Sequence, residues 1–396
     1  MKKFMIVGAS VLQLPAILKA KEMGLEVAVA DFDPNAIGIK YSDHYYNAST
    51  MDENAVAKAA KEYNPDGIMT LATDMPMRGV AKASEDLGLH SIKYSTAFKA
   101  TDKFEMIKAF KEHDVESPWY YMVNNRYELN ELEYKLSYPC IMKPTDNAGS
   151  HGVVLIHDFD ELLANYDFSL SNSRHGGVII EEYLDGEEVS VEVMVVKGKV
   201  HILQITDKIT TGAPHFVEMG HTQPSRKTEI VQSQIRSLAE RAIKSLGIDN
   251  GPCHVEIMVV DRVPVMIELG ARMGGDNITT HLVPLSTGID MTEASIRVAL
   301  GEDPEIEPKF NKGSAIRYIK APEGTIKQIN GVEQAKAIDG VIQVTFTKSI
   351  GEPSTDISCS NDRIGFVIAQ GLDANDAEAI CEKALKLIEV VVENEK

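Results

Sequence analysis

The stretch "HVEIMVVDRVPVMIELGARMGGD", residues 254–276, contains two apolar segments on either side of the turn-like tetrapeptide "DRVP". A hairpin centred on Arg262 would place Glu256 opposite Glu268, because each lies six residues from that centre. Directly opposed side chains have Cβ atoms ~5 Å apart, and like charges there are destabilising. A shared divalent cation would offset the repulsion, and carboxylate oxygens suit Mg²⁺. The alternative is two solvated glutamates on an exposed hairpin face.

A glycine-rich segment, "KPTDNAGSHGV" (143–153), is a candidate phosphate site. Lys143 ends a predicted strand, and Asn147, Gly149, Ser150 and Gly152 follow in a flexible turn. Free backbone N–H groups in such a turn can hold phosphate oxygens, and a lysine adds positive charge. An ordinary glycine-rich hairpin turn explains the same pattern, so this segment is informative only in combination with others.

In an acidic segment, "VIIEEYLDGEEVSVEV" (178–193), Glu181, Glu182, Glu187 and Glu188 lie around Tyr183 and Leu184. Such a segment could accept hydrogen bonds from an adenine amino group and from ribose hydroxyls, while a backbone N–H donates to a ring nitrogen. The alternative is an acidic surface loop.

The first 95 residues alternate apolar strands with helical segments, as in "KKFMIVGAS", "EVAVADFDP" and "IMTLATD" separated by helices. This order predicts a doubly wound parallel α/β unit. The loop "VGASVLQLP" carries only Gly8, so the G-x-G-x-x-G pattern of dinucleotide sites is missing, and no G-x-x-x-x-G-K-[ST] loop occurs. We therefore interpret the unit as scaffold and substrate wall rather than as a nicotinamide or nucleotide-sugar site.

From about residue 100 the pattern changes to strand pairs and longer helices, which indicates an α+β part. In "TDKFEMIKAFKEHD" we expect a helix with Thr101 as N-cap and with Phe104, Ile107 and Phe110 on one face.

Composition excludes several classes of protein. The 396 residues carry a net charge of −19, which argues against general affinity for nucleic acid. The four cysteines form no C-x-x-C pair, so a zinc site or disulfide framework is not expected. No apolar run reaches the ~18 residues of a membrane span. A cytoplasmic protein without a membrane partner is the expectation.

Four segments in register resemble the ATP-grasp superfamily of carboxylate–amine ligases. They are the lysine in "TDKFEMIKAF", the loop "IMKP…AGSHGV", the segment "EEYLDGEEVSVEV" and the strands "HVEIMVV…MIELGAR". The resemblance covers the whole chain and implies three parts: a Rossmann-like domain at 1–98, a small lobe with lid at 99–185, and a large lobe with a C-terminal subdomain at 186–396.

The resemblance also implies a role for individual residues. The nucleotide would be held by Lys103, Lys143, Ser150, Glu181, Tyr183, Leu184 and Glu188, and Mg²⁺, with Mn²⁺ as an alternative, by Glu256 and Glu268. Many members have E-x-N-x-R at the last site, whereas this chain has Gly270 in place of the asparagine, which leaves the number of metal ions open. Arg272 would lie over the transferring phosphoryl group or the acyl oxyanion; the alternative is a plain ion pair with Glu268.

The segments "ITDKITTGAPHFVEMGHTQPS" (205–225), "ELGARMGGD" and "GSAIRYIKAPEGTI" are similar to the L-amino acid ligase branch, which forms dipeptides. In that branch "FVExGH" lines the amino acid site, so Glu218 and His221 are candidates for binding the amine and accepting its proton; a solvated charge and a loop hydrogen bond are the alternatives. Gly274 and Gly275 would let the backbone approach the substrate, and Asp276 would influence the choice of side chain.

The implied reaction activates a carboxylate as an acyl phosphate with ATP and couples it to an amine. Two other readings remain open: a relative that uses bicarbonate or formate, as biotin carboxylases and purine-pathway enzymes do, and a nucleotide-binding protein without catalysis. The substrates would be small molecules, and the resemblance allows a homodimer.

Overall fold

A computed structural model describes residues 1–147, 151–174 and 176–393. The chain is of the mixed α/β class that the sequence predicts. It begins with a parallel sheet of strand order β3-β2-β1-β4 flanked by helices. The elements of this N-terminal unit are β1 (Lys3–Val7), α1 (Leu14–Glu22), β2 (Glu26–Asp31), β3 (His44–Asn47), α2 (Glu53–Tyr63), β4 (Gly67–Met69), α3 (Pro76–Leu87), α4 (Tyr94–Thr101) and α5 (Lys103–Glu112).

Two local predictions in this unit were wrong. The edge strand β3 was not foreseen, because its sequence "HYYN" is polar and aromatic rather than an apolar run. Thr101 ends α4 instead of capping the next helix: Asp102 is the N-cap of α5 and accepts a hydrogen bond from the N–H of Glu105 at 3.0 Å. The Thr101 hydroxyl accepts from Nε of the buried Arg78 at 2.6 Å.

A second, antiparallel sheet of order β5-β8-β6-β7 forms a small lobe with its own apolar core. Its elements are β5 (Tyr120–Val123), α6 (Arg126–Asn130), β6 (Cys140–Pro144), β7 (Val154–Ile156), α7 (Phe159–Ser171) and β8 (Val178–Glu182).

The third part is an eight-stranded sheet of order β13-β12-β9-β10-β11-β14-β18-β16, with a small sheet of order β17-β15-β19 at its far end. Its elements are β9 (Glu187–Val196), β10 (Lys199–Thr210), β11 (Glu218–Gln223), α8 (Glu229–Leu246), β12 (Gly251–Val260), β13 (Val263–Gly270), a π-helical turn (Ile278–Leu282), α9 (Val283–Thr287), α10 (Met291–Ala299), β14 (Gly313–Ile319), β15 (Gly324–Asn330), α11 (Val332–Lys336), β16 (Val341–Phe346), β17 (Pro353–Ser354), β18 (Gly365–Gly371), α12 (Ala374–Leu385) and β19 (Glu389–Glu393).

The hairpin β12–β13 pairs Glu256 with Glu268, as the sequence predicts, although its turn differs from the predicted one. The turn residues are Asp261 and Arg262, both with positive φ (49° and 70°), which is the backbone of a two-residue hairpin loop. The register then shifts where Ile257 pairs with Met266. The extra residue of this bulge restores the opposition of the two glutamates.

One apolar core joins the N-terminal unit to the large sheet. It runs from Met5 and Val80 through α8 to Val191 and Val255. The N-terminal unit is therefore fixed against the strands that carry the glutamate pair. The predicted domain boundaries at 98 and 185 stay predictions.

Candidate active site

Two adjoining cavities meet at the glutamate pair. The large cavity, about 780 Å³, lies between the N-terminal unit and the large sheet. The small cavity, about 190 Å³, lies between the small lobe and the large sheet. Both are lined by Lys103, Asn147, Glu218, Glu256 and Glu268. A molecule in one cavity can therefore meet a molecule in the other beside these carboxylates.

Lys103 stands at the start of α5 and faces the second glutamate. Its Nζ lies 2.9 Å from Oε2 of Glu268 and donates to the carbonyl oxygen of Asn147 at 2.9 Å. Burial by itself would lower the pKa of Lys103, but Glu268, through its charge and hydrogen bond, together with Asp74 and Glu181, raises that pKa. The ammonium therefore stays charged where the two cavities join.

Lys208, on β10, is the cation that compensates the other carboxylates. Its side chain is 2% exposed, and Nζ contacts Glu188, Glu256 at 3.2 Å and Glu218 at 3.7 Å. Burial opposes the charge of Lys208, but the three carboxylates raise its pKa well above the usual value. Burial raises the pKa of Glu188 even beside this lysine. The charge of Lys208 thus offsets the mutual repulsion of these three carboxylates.

His254 connects Glu256 to a second buried carboxylate. Its Nδ1 lies 3.0 Å from both oxygens of Glu192, and its Nε2 lies 3.2 Å from Oε1 of Glu256. Burial disfavours the charged ring, but Glu192 and Glu256 together raise the pKa of His254 to about 9. Burial likewise opposes ionisation of Glu256, yet Lys208 and His254 hold its pKa well below the usual range. Glu256 is therefore an anion at neutral pH.

Besides the polar residues that it shares with the large cavity, the small cavity is lined by another, buried ion pair and by apolar side chains. Nζ of Lys143 lies 2.6 Å from Oε2 of Glu181, and both side chains are 8% exposed. The rings of Tyr183 and Phe216 lie 6.3 Å apart between centroids. The remaining apolar lining comes from Pro118, Ile141, Pro144, Val153, Leu184, Met258 and Ile267. Apolar walls with a few polar groups are typical of a site for a flat organic ring.

Arg272 does not pair with Glu268, which the sequence left open as an alternative. Its Nε and one terminal nitrogen each bond an oxygen of Asp74 at 2.8 Å, and Asp74 follows β4 in the N-terminal unit. A Cβ on Gly270 would lie 2.5 Å from Oδ1 of Asp74 and 2.9 Å from the Arg272 guanidinium. Glycine at position 270 is thus required by the Asp74–Arg272 pair.

His221 and Asp276 form a second buried network at the far side of the large cavity. Nε2 of His221 lies 3.2 Å from Asp276, and Arg363 holds both Asp276 oxygens at 2.8 and 2.9 Å. Burial opposes ionisation, but these hydrogen bonds hold the pKa of Asp276 well below its usual range. Arg363 also stacks on Tyr318, 3.7 Å from the ring centroid. The Asp276 charge is already balanced within the protein, so it does not offer a free anion to a cationic substrate.

The two glycines after Arg272 differ in their surroundings. A Cβ on Gly274 would lie 2.5 Å from Nδ1 of His254, so this glycine keeps room for the His254–Glu192 pair. Gly275 lines the large cavity, and a Cβ there would meet only Ala72, at 3.8 Å.

The structure brings together most of the residues that the sequence singles out. The two cavities are lined by Lys103, Lys143, Glu181, Tyr183, Leu184, Glu188, Glu218, His221, Glu256, Glu268, Arg272, Gly275 and Asp276. Ser150 lies outside the described residues. Sequence reasoning missed Asp74, Lys208, Phe216, His254 and Arg363. For His254 a signal existed, since it precedes Glu256 by two positions and faces the same side of the strand.

Glu256 and Glu268 could hold a magnesium ion. Their donors are carboxylate oxygens, and one or two carboxylates plus phosphate oxygens and water are the usual ligands of Mg²⁺. Over residues 1–147, 151–174 and 176–393, no group of three or more His, Cys, Asp or Glu residues is arranged to hold a metal. An ion at this pair would therefore take its other ligands from a bound phosphate and water.

Two family models match the chain: an ATP-grasp domain over residues 136–281 and an L-amino acid ligase C-terminal domain 2 over residues 317–393. The alanine–anticapsin ligase of Bacillus subtilis is 27% identical over 75% of this chain and 67% of its own length. A formate-dependent phosphoribosylglycinamide formyltransferase of Sulfurisphaera tokodaii is 26% identical over 98% of this chain and 96% of its own. The protein y4rH of Sinorhizobium fredii is 28% identical over 69% of this chain, which spans only 57% of y4rH.

Among solved structures, the L-amino acid ligase from Bacillus licheniformis superposes with a TM-score of 0.85 at 25% identity, covering 100% of this chain and 99% of the other. In the described part of the chain, no helix has the length and apolar character needed to cross a bilayer. The two cavities, the Glu256–Glu268 pair and the two matched domains all support the same class of enzyme. The chain carries an ATP-grasp domain and an L-amino acid ligase C-terminal domain 2, and its similarity to ATP-grasp ligases identifies it as an ATP-dependent ligase.

Proposed function

We propose that the protein couples the carboxylate of one small molecule, an amino acid, to the amine of another, forming a dipeptide or related amide with release of ADP and phosphate. The observation that carries this proposal is the meeting of the two cavities. Lys103, Glu218, Glu256 and Glu268 line both, so a nucleotide in the small cavity would extend its phosphates toward a carboxylate in the large one.

The nucleotide would lie with its base between the apolar walls of the small cavity. Glu181 would accept a hydrogen bond from the adenine amino group, and the backbone N–H of Leu184 would donate one to the adenine ring. Lys143 and Lys103 would neutralise the phosphates. Glu188 would hold the ribose hydroxyls, which requires its carboxylate to be shared with Lys208. The rings of Tyr183 and Phe216, which line the small cavity, would cover the adenine ring.

The first chemical step would join a carboxylate oxygen of the substrate to the terminal phosphorus of ATP, breaking the bond between that phosphorus and the ADP oxygen. Lys103 and Arg272 would neutralise the charge on the moving phosphoryl group. Asp74 would fix the Arg272 fork in one orientation through its two hydrogen bonds. Mg²⁺ bound by Glu256 and Glu268 would supply further neutralisation of the phosphate oxygens.

In the second step the amine nitrogen would attack the acyl carbon, the carbon–oxygen bond to phosphate would break, and the amine would lose a proton. Glu218 is the candidate acceptor, since it lines both cavities and keeps 29% of its side-chain surface exposed. His221 is 1% exposed and bonded to Asp276, so we propose that it holds Asp276 in place rather than accepting a proton from the amine.

The test is ADP release with Mg²⁺-ATP across a matrix of amino acid pairs, with mass detection of the product. Separate arms contain formate or bicarbonate with an amine, because the formate-dependent relatives match nearly the whole chain. Amide products from amino acid pairs support the proposal. ADP release only with formate or bicarbonate would assign the other class of ligase, and nucleotide binding without turnover under any condition would indicate a binding protein.

Glu268→Gln and Arg272→Ala should each lower kcat by about 100-fold or more. The first variant weakens the proposed Mg²⁺ site, and the second removes a positive charge that would neutralise the transferring phosphoryl group. Glu305→Gln is the matched control, since Glu305 is 84% exposed and lines neither cavity. Near-normal turnover in either site variant would contradict the assigned roles. The cytoplasmic location and the homodimer stay predictions.

A further inference from the structure

One end of the large cavity is lined by loops of the N-terminal unit, and of its lining residues the reaction steps above use Asp74 alone. This N-terminal arm is formed by the loops that follow β1, β2, β3 and β4, at the carboxyl ends of parallel strands, where ligands of such sheets bind. Its lining residues are Gly8, Ser10, Val11, Gln13, Asp31, Phe32, Asp33, Asn35, Ala36, Ile37, Thr50, Met51, Ala72, Thr73, Asp74, Met75 and Pro76.

The N-terminal arm is poorly suited to a phosphate. Its lining residues, all within the described part of the chain, include three aspartates and no lysine, arginine or histidine. A phosphate group in a protein is normally held by basic side chains or by free N–H groups at a helix N-terminus. Basic side chains are therefore not available at this end of the cavity.

The backbone N–H groups of the first loop are also in use. The N–H of Gly8 donates to the carbonyl of Ala30 at 2.8 Å, that of Ala9 to Asp31 at 2.7 Å, and that of Ser10 to the side chain of Gln13 at 3.2 Å. Helix α3, which follows the loop after β4, begins with Pro76, and proline has no backbone N–H to donate.

Two arginines beside the large cavity are likewise engaged: Arg272 is bonded to Asp74, and Arg363 is bonded to Asp276. Arg363 gives its hydrogen bonds to Asp276 and to the carbonyls of Ser360 and Glu218, and its flat face covers Tyr318. A phosphorylated sugar in the arm would thus have to break a bidentate ion pair before it gained a partner.

The N-terminal arm instead presents apolar side chains to water. Val11 is 69% exposed, Phe32 is 67% exposed, and Ile37 and Met51 are each 42% exposed, and all four line the cavity. Large apolar side chains grouped at the mouth of a cavity indicate a surface that is covered when a ligand binds. The continuity of this group with the cavity of Arg272 and Glu268 points to a small molecule rather than a protein.

We propose that the N-terminal arm binds the apolar side chain of one of the two substrates, and that it discriminates against a phosphoribosyl substrate. This inference rests on the proposed function, since it names the class of amino acid that the same site accepts: one with a large aliphatic or aromatic side chain. Covering Phe32 and Val11 with such a side chain removes apolar surface from water on both sides of the contact.

The experiment compares wild type, Phe32→Ser and Val11→Ser in ADP release with matched substrate pairs that differ only in phenylalanine or leucine against alanine. The ratio of kcat/KM for the large substrate over alanine should fall about tenfold or more in each variant, through KM. Leu372→Ser, at a position 84% exposed and outside the cavities, is the control and should leave that ratio unchanged. An unchanged ratio in both site variants would overturn the inference.

Calorimetry with the ADP-loaded, Mg²⁺-containing protein supplies a readout that does not need turnover. L-Phenylalanine and L-leucine should bind more tightly than L-alanine, and Phe32→Ser should remove the difference. Competition by ribose 5-phosphate in this assay would overturn the inference. If no amino acid pair releases ADP but this binding preference and its loss are seen, the proposed function fails and the inference stands.

Discussion

Replacing Lys208 by methionine is the sharpest test of the charge balance at the site. Methionine keeps the length and apolar stem of lysine but removes the ammonium that contacts Glu188, Glu218 and Glu256. Three carboxylates would then share one end of the cavity without that cation. Since Lys208 is 2% exposed, water cannot replace it at its own position.

The expected loss follows from the burial of the partners. Breaking a buried ion pair by removing one member costs about 3–5 kcal/mol of unfolding free energy. The three carboxylates keep 19%, 29% and 22% of their side-chain surface exposed, so we take the lower end. The prediction is a loss of about 3 kcal/mol, or more than about 100-fold in the folding equilibrium.

The assay is urea unfolding without nucleotide, followed by circular dichroism and by the fluorescence of Trp119, the single tryptophan of the chain. The control, Lys197→Met, removes an ion pair with Asp303 in which both side chains are more than two-thirds exposed. Its effect should stay within about 0.5 kcal/mol. ADP with Mg²⁺ should restore part of the stability of Lys208→Met, because the ion supplies positive charge near Glu256. A Lys208→Met variant within 1 kcal/mol of wild type would refute the reasoning.

Two further predictions concern the ion pairs around the large cavity. Gly270→Ala should lower kcat by about 10–100-fold, because the added Cβ displaces the Asp74–Arg272 pair. Asp74→Asn should lower kcat to a similar extent without the steric change. Full activity in both variants would show that the pair has no positioning role. Asp276→Asn should lower stability at pH 7 by about 1–3 kcal/mol, and the gap to wild type should narrow as pH falls below about 4. The pKa of Asp276 is depressed in the fold, so its contribution is present above the ordinary aspartate pKa and is lost as pH falls. Urea unfolding at pH 7 and at the lowest pH where both proteins remain folded measures the difference in unfolding free energy between wild type and Asp276→Asn. A difference that grows on acidification would contradict the prediction.

Several features could be read from the sequence because they depend on short-range patterns. The period of the apolar residues gives the strands and helices, and the separation of Glu256 from Glu268 gives their pairing once a hairpin is assumed. The pairing survived an error in the turn, because a bulge added the residue that the shorter loop removed. A buried strand tolerates few charges, so the two glutamates were visible against an apolar background.

The compensation of those charges could not be predicted, because it acts across space between residues far apart in the chain. Asp74 and Arg272 are separated by 198 positions, and Arg363 reaches Asp276 from 87 positions away. Lys208 lies in the segment 205–225, but nothing in its local pattern distinguishes a buried lysine from a solvated one.

The sequence by itself therefore determined the class of fold, the four segments that resemble the superfamily and the opposed glutamates, since each of these is encoded by neighbouring residues. Only the tertiary structure decided which cations neutralise which carboxylates, why glycine occupies position 270, and which side of the cavity is apolar. Those properties depend on burial and on distances between elements that meet only when the N-terminal unit closes against the large sheet.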